Sequence, residues 1–330
     1  MSAVPIPQGK LPNDLLARLL AELPSPDADV VLGPRVGEDA AALRVPSGVL
    51  VAATDPVTLT GSAIGRFAVV VNANDVAVTG ARPQWFLAAM LLPPGTGEDA
   101  VTEIFTVLRQ TLDEVGAALV GGHTEITDAV TRPVIIGQML GMAEEGRVVT
   151  TGGAAAGDVV VQVGPAPVEG AAVLAAEATG SLGGVDAAMV QAAAAALVHP
   201  GISVVDAALT AVRLGASALH DPTEGGLASG LHELADASSI RLVIDGTAVQ
   251  WFEPGLALCR AVGADPWATL ASGCLLATFP AADADVAVRA LAAAGHSASI
   301  IGVAEGGAGV LVDGTSLAWP ERDEVARLLS

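Results

Sequence analysis

Between residues 48 and 143 the apolar residues come in five short runs, several of them rich in Val and closed by an acid or a glycine. They are GVLVAATD (48–55), AVVVNAND (68–75), WFLAAMLL (85–92), ALVGGHTEI (118–126) and RPVIIGQMLGMA (132–143). Runs of this length and composition read as buried strands that finish at a turn. Between them, EDAVTEIFTVLRQTLDEV (98–115) sets Val101, Ile104, Phe105, Leu108 and Leu112 on one helical face. Upstream, LPNDLLARLLAEL (11–23) repeats Leu at helical spacing behind Asn13 and Asp14, which predicts a first helix. The first part of the chain is therefore expected to be α/β.

TTGGAAAG (150–157) is a small-residue stretch that leads into a new apolar run, DVVVQVG (158–164), and a domain boundary is expected there. A chain of 330 residues exceeds the size at which one core usually stops growing, so two domains, 1–150 and 151–330, are the natural division. The second half predicts Ala-rich helices near 169–179, 186–198 and 201–214, and another opening at 222–226 and running to Ala237. Strands are expected at 241–245, 274–279, 298–305 and 309–314, and a short helix at 321–329. Aromatics make up 3% of the residues and Tyr is missing, so volume must come from many small side chains.

With 36 acidic and 15 basic side chains the net charge is −21, the wrong sign for neutralising nucleic-acid phosphates or an anionic membrane surface. No apolar run is long enough to span a bilayer, and MSAVPIPQGK lacks a basic then apolar leader, so a cytoplasmic protein is expected. Cys259 and Cys274 are not spaced as a metal knuckle or redox pair and read as core residues.

Four acidic segments read as strand ends or turns: GEDAA (37–41), TD (54–55), NANDVAVTGARP (72–83) and GGHTEIT (121–127). Converging carboxylates beside small residues make an oxygen-rich site that suits Mg²⁺ shared with phosphate. Singly, each of Asp39, Asp55 and Asp75 suits turn or cap duty equally well. Gly121-Gly122 and the DPTEGGLASGLHELA segment (221–235) add backbone N–H groups that an anion can approach, although a Gly pair also serves as a plain turn. There is no GxxxxGK[ST] and no GxGxxG opening a helix, so neither a P-loop nor a dinucleotide fingerprint is present.

In order and spacing, GEDAA, TD, NANDVAVTGARP, GGHTEIT with RPVIIGQMLG, and HDPTEGGLA resemble the superfamily of aminoimidazole ribonucleotide synthetase, PurM. It includes the hydrogenase maturation protein HypE, selenophosphate synthetase, thiamine-monophosphate kinase and formylglycinamidine ribonucleotide synthetase. The resemblance spans nearly the whole chain and is closest to the HypE-like, AIR synthase-related branch, through GGHTEIT, DPTEGGLA and GISVV (201–205). It implies an N-terminal α/β domain that pairs in a homodimer, a C-terminal α+β domain, and ATP between them. It also implies that Asp39, Asp55 and Asp75 hold Mg²⁺ and phosphates with Asn74 close by, and that Gly121, Gly122, His123 and Thr124 line the phosphate site. Asp221, Thr223, Gly225 and Gly226 would face the nucleotide from the second domain.

The expected activity is ATP- and Mg²⁺-dependent phosphorylation or activation of an oxygen or amide on a small molecule. A kinase of the thiamine-monophosphate type and a non-catalytic nucleotide-binding accessory protein, with a protein partner, are the alternatives. HypE proteins end in a cysteine that carries the carbamoyl group; this chain ends AWPERDEVARLLS, so nitrile formation on its own tail is not expected. The reactive N-terminal Cys or selenocysteine of selenophosphate synthetase is likewise missing. Lys10 stands where relatives carry a segment that folds over the phosphates and is a candidate lid cation. His123 is a candidate phosphate or substrate contact, and Glu125 or Glu224 a candidate general base. His220 suits either a ligand contact or a turn-stabilising bond, while His199, His232 and His296 read as structural or surface residues.

Overall fold

The computed structural model describes residues 17, 30–32, 36–38, 41–45, 48–58, 63–143 and 147–329. By internal contacts the chain divides into two compact units: among the described residues, 30–32 and 41–148 form one, and 36–38 and 149–329 the other. The helix expected over 11–23 lies, apart from Ala17, outside the described residues.

The first unit is a six-stranded sheet of β1 (Val30–Leu32), β2 (Ala41–Val45), β3 (Gly48–Val57), β4 (Ala81–Leu92), β5 (Ala118–Ile126) and β6 (Val134–Ala143), in the order β1-β2-β3-β6-β4-β5. Edge strand β5 runs parallel to β4, and the other neighbours are antiparallel. Alternation along the strands sends Val49, Val51 and Ala53 of β3, Ile135 and Met139 of β6, and Phe86, Ala88 and Met90 of β4 to one buried face. Helix α1 (Ile64–Ala77) lies on that face, and α2 (Glu98–Val115) packs on α1 and reaches β5. The amphipathic pattern of 98–115 is realised over its full length, with Ile104, Leu108 and Leu112 buried.

One expectation is corrected here. AVVVNAND (68–75) is not a strand end but the middle of α1, so Asn74 and Asp75 stand on a helix. Twelve of the 14 residues of α1 are buried, and a helix enclosed on nearly all sides shows no amphipathic period by which its sequence could announce it. Burial there outweighs the strand preference of three consecutive Val residues.

The opposite face of this sheet carries half-buried Leu50, Leu87, Leu91, Ile136 and Leu140, and among the described residues no helix of the unit packs on it. The whole of β5 is exposed, including Leu119, Val120 and Ile126.

The second unit is a seven-stranded sheet. Its strands are β7 (Asp158–Val163), β8 (Ala218–His220), β9 (Arg241–Ile244), β10 (Leu275–Pro280), β11 (Ala298–Glu305), β12 (Gly309–Val312) and β13 (Thr315–Ser316), in the order β13-β12-β9-β11-β7-β10-β8. Only the β12–β9 pair is parallel. Helices α3 (Glu169–Glu177), α4 (Ala187–Ala194), α5 (Val205–Arg213), α6 (Gly226–Ser238), α7 (Glu253–Val262), α8 (Ala284–Ala293) and α9 (Glu324–Leu328) complete it. The expected α+β character is what is found.

Its core has two parts. Leu227, Leu231, Leu234, Leu242, Leu276, Ile301 and Cys274 join α6 to the sheet, and Leu174, Leu258, Cys259, Leu270 and Val325 join α3, α7 and α9. Both cysteines are core residues as expected, and burial pushes the Cys274 thiol up to about 12. No single helix among the described residues is long and apolar enough to cross a membrane.

Candidate functional site

Asp55 continues the row of Val49, Val51 and Ala53 on β3, and so stands on the face that α1 covers. The helix reaches it through Asn72, a fully buried amide the sequence reading did not single out. The Asp55 N–H donates to Asn72 Oδ1 at 2.8 Å, and Asn72 Nδ2 donates to the Ala68 carbonyl at 2.9 Å. Across the sheet from Asp55 is Gly137, where a Cβ would lie 2.5 Å from Asn72 Nδ2 and 2.9 Å from the Ala68 oxygen. Only glycine leaves room for this amide. Asp75 follows Asn72 by one helical turn and is 5% exposed, with Asn74 fully buried beside it.

Asp55 and Asp75 are thus carried by two elements packed on each other, with Asn72 as the bridge between them. Asp39, the third expected metal ligand, lies outside the described residues, as does Lys10. Among the described residues no three His, Cys, Asp or Glu side chains converge as a metal centre. Two hard carboxylates without a closed cage fit Mg²⁺, which commonly takes one or two protein carboxylates and completes its shell from phosphate and water.

Gly121, Gly122, His123, Thr124 and Glu125 all lie within β5, not in a turn. Parallel pairing with β4 sets Gly122 opposite Ala88 and Thr124 opposite Met90, on the α1 side of the sheet, while Gly121, His123 and Glu125 point to the uncovered side. His123 Nε2 and Glu125 Oε2 are 3.3 Å apart, two residues apart on one strand face and both largely in solvent.

In the second unit, β8 ends at His220 and the chain turns through 221–226 into α6. His220 and Asp221 are each 2% exposed. His220 Nε2 lies 2.8 Å from Glu233 Oε2 on α6, so the bond that holds this turn, one of the two roles open to His220, is present. The Thr223 carbonyl accepts from the N–H groups of Gly226 at 3.0 Å and Ala271 at 3.2 Å. Gly225 and Gly226 have left-handed backbones, φ +80° and +65°, and a Cβ on Gly226 would lie 2.5 Å from the Trp267 carbonyl oxygen. This glycine pair is required by the packing of the turn itself.

The Gly225 N–H, one of the donors the sequence offered to an anion, is taken at 2.8 Å by Asp323 Oδ2, while Asp323 Oδ1 accepts from Val325 N–H at 2.7 Å as the cap of α9. Burial pushes Asp323 up to about 6 against the pull of these two N–H groups. Burial also pushes Glu169, in the first turn of α3, up to about 7, and the charges of Asp323 and Glu224 add to the effect. Asp221, Thr223, Gly225 and Gly226 are therefore brought together in one turn, ringed by carboxyl groups that spacing could not reveal. Asp323 had one local signal, an Asp directly before a short apolar helix.

Residues 37–143 match the N-terminal domain of AIR synthase related proteins, and residues 155–313 match their C-terminal domain. The carbamoyl dehydratase HypE of Rhodobacter capsulatus is 32% identical over 271 residues, covering 79% of this chain and 77% of that protein. The thiamine-monophosphate kinase of Corynebacterium glutamicum is 29% identical over 251 residues, with 72% and 73% covered. Among solved structures, a HypE–HypF complex superposes with a TM-score of 0.73 at 24% identity, covering 86% of this chain and 93% of that one. HypE in complex with ATP gives 0.70 at 24%, with 87% and 90% covered. AaThiL complexed with AMPPCP and TMP gives 0.74 at 21%, with 94% of each chain covered. At these identities the structural likeness establishes the two-domain fold.

Proposed function

Because the chain belongs to the AIR synthase-related family, as a HypE-like member of the PurM superfamily, we propose that it is an ATP- and Mg²⁺-dependent enzyme. It phosphorylates or activates an oxygen or amide of a small-molecule acceptor. The observation that carries this reading is the seating of α1, which holds Asp75, on β3, which holds Asp55, through the Asn72 hydrogen bond, within the stretch that matches the family's N-terminal domain. ATP complexes of HypE and the AMPPCP complex of AaThiL support nucleotide as the ligand.

In this reading Asp55 and Asp75, with Asp39, bind the metal with Asn74 close by, and Asn72 keeps β3 and α1 in register. Bound there, Mg²⁺ supplies neutralisation of the charge on the transferred phosphoryl group. Gly122 and Thr124, on the α1 side of β5, approach the phosphates, Lys10 adds positive charge over them, and Asp221, Thr223, Gly225 and Gly226 bound the nucleotide from the second domain. Asp323 limits the Gly225 contribution, since it already accepts that N–H. The hydrogen-bonded His123 and Glu125 stand on the opposite face of the sheet from Asp55, so of the two candidate bases Glu224, in the 221–226 turn, is the one assigned to the acceptor's proton.

The protein acts as a homodimer, through the apolar sheet face of Leu50, Leu87, Leu91, Ile136 and Leu140 that no helix among the described residues of its unit covers. A protein partner is supported by the HypE–HypF complex, and two buried thiols suit a reducing cytoplasm. A small-molecule kinase is the second reading, favoured by the thiamine-monophosphate kinase relative.

The test is calorimetric binding of AMPPCP with and without Mg²⁺ to the parent, Asp55→Asn and Asp75→Asn. Metal-dependent binding is expected in the parent, and a loss of about tenfold or more in each variant. Binding in the variants equal to the parent would remove the aspartates from the site. A parent that binds nothing under either condition would leave the accessory-protein alternative without its nucleotide as well, and would overturn the reading.

A further inference from the structure

Helix α6 touches both the turn after β8 and the segment that leads towards Asp39. It begins at Gly226, directly behind the turn 221–226, and two turns later carries Glu233, whose Oε2 lies 2.8 Å from His220 Nε2. The two side chains are 2% and 13% exposed, so the bond is shielded from water. Gly37 rests on the same stretch of helix. A Cβ built on it would lie 3.6 Å from the Glu233 carbonyl oxygen and 3.8 Å from the Cβ atoms of Glu233 and Ala237, which is ordinary contact. One turn further on, Ser238 Oγ donates to the Thr151 carbonyl at 3.0 Å. The chain passes from one unit to the other at 38–39 and at 148–149, and a segment seated on α6 lies within three residues of each passage.

An imidazole this deeply buried is costly unless both its position and its protons are satisfied. A carboxylate on Nε2 sets the tautomer and the ring plane through a charge-assisted bond. His220 is the residue directly before Asp221, so whatever holds the ring holds the start of the turn.

We propose that Glu233 is a positioning residue for the nucleotide site. Through His220 it ties the turn 221–226 to α6, the helix on which Gly37 rests. The assignment rests on the nucleotide reading above. It extends that reading to a residue that touches neither metal nor phosphate.

The experiment compares the full-length parent with Glu233→Ala and Glu233→Gln, reading amide hydrogen exchange over 36–38 and 221–226 and calorimetric binding of AMPPCP with Mg²⁺. Glu233→Ala is expected to speed exchange over 221–226 and weaken binding by about tenfold each, leaving β7, β10 and 36–38 unchanged, since Gly37 rests on the Glu233 carbonyl and on the Cβ atoms of Glu233 and Ala237 that the variant keeps. Glu233→Gln, whose amide oxygen still accepts from His220 Nε2, is expected to restore both. Exchange in Glu233→Ala equal to the parent, an equal rise in β7 and β10, or a Gln variant no better than Ala would each overturn the inference. If Glu233→Ala does not fold, His220→Asn is read in its stead, with fast exchange over 221–226 expected. A parent that fails to bind AMPPCP would sink the nucleotide reading, while the exchange arm still decides whether Glu233 positions the 221–226 turn.

Discussion

Glu169 and Asp323 each hold a proton that the unfolded chain would release at lower pH, and this makes stability depend on pH with a definite sign. Glu169 is 8% exposed, and its carboxyl is raised from 4.5 to about 7 by burial. Between those two values the folded state binds more protons than the unfolded state, so stability falls as the pH rises. The contribution is present in full below 4.5 and is gone once the pH passes about 7. Asp323, raised from 3.8 to about 6, acts in the same direction over a lower window. Glu169→Gln, which cannot ionise, is expected to flatten the pH dependence of Tm. Relative to the parent it should raise Tm at about pH 8 by a few degrees, with little change at about pH 5. Thermal melts across that range check this, and a variant whose profile parallels the parent's would show that Glu169 is not the group involved. None of this is legible in the sequence, where Glu169 opens an Ala-rich helix like any favourable first-turn acid.

Helix α1 shows how an element can be correctly sensed as buried and still be assigned the wrong geometry. Its Val69, Val70 and Val71 suit a strand, and the helix forms because sheet and α2 enclose it. The enclosure depends on Gly137, since a methyl there would meet Asn72 Nδ2, the Ala68 oxygen and Phe86 Cζ all within 3 Å. Gly137→Ala should therefore push α1 off the sheet, cost about 3 kcal/mol, and weaken Mg²⁺-dependent AMPPCP binding by displacing Asn72 from Asp55. Urea unfolding gives the first quantity and calorimetry the second. An alanine variant as stable as the parent would mean that the helix yields at no expense. Where an element has one wet face, as α2 does, its period is written in the sequence and 98–115 is read to the residue. The five-residue strand β2 is too short to show a period, whereas α7 and α8, which the expected elements omit, do carry an amphipathic period.

At the scale of the whole molecule, the bare face of the first sheet calls for a cover. Leu50, Leu87, Leu91, Ile136 and Leu140 form an apolar patch over three adjacent strands, crossed at its middle by exposed Thr54 and Gln138. A second copy of the same sheet is the occupant under the homodimer proposal, since a two-fold interface sets the same patch against itself. Leu140→Glu introduces paired charges at that interface and should convert the dimer to a monomer, which light scattering on the eluting protein would register. The fold of the variant should survive, because Leu140 does not point into the α1 core. A parent that elutes as a monomer would refute the proposal outright.

Local chemistry in the chain was enough to determine the α/β first half, the α+β second half, the acids and glycine pairs that mark the superfamily, and the two buried cysteines. Each depends on residues close in sequence or on motif order. The tertiary structure alone decided that Asp75 stands on a helix, that Asn72 joins it to Asp55, that His123 and Glu125 face away from Asp55 across the sheet, and that Asp323 caps Gly225 from 98 residues away. These are questions of which face a side chain takes and what distant backbone lies against it. They are settled by packing between elements, and a motif records only the residue types that such packing brings together.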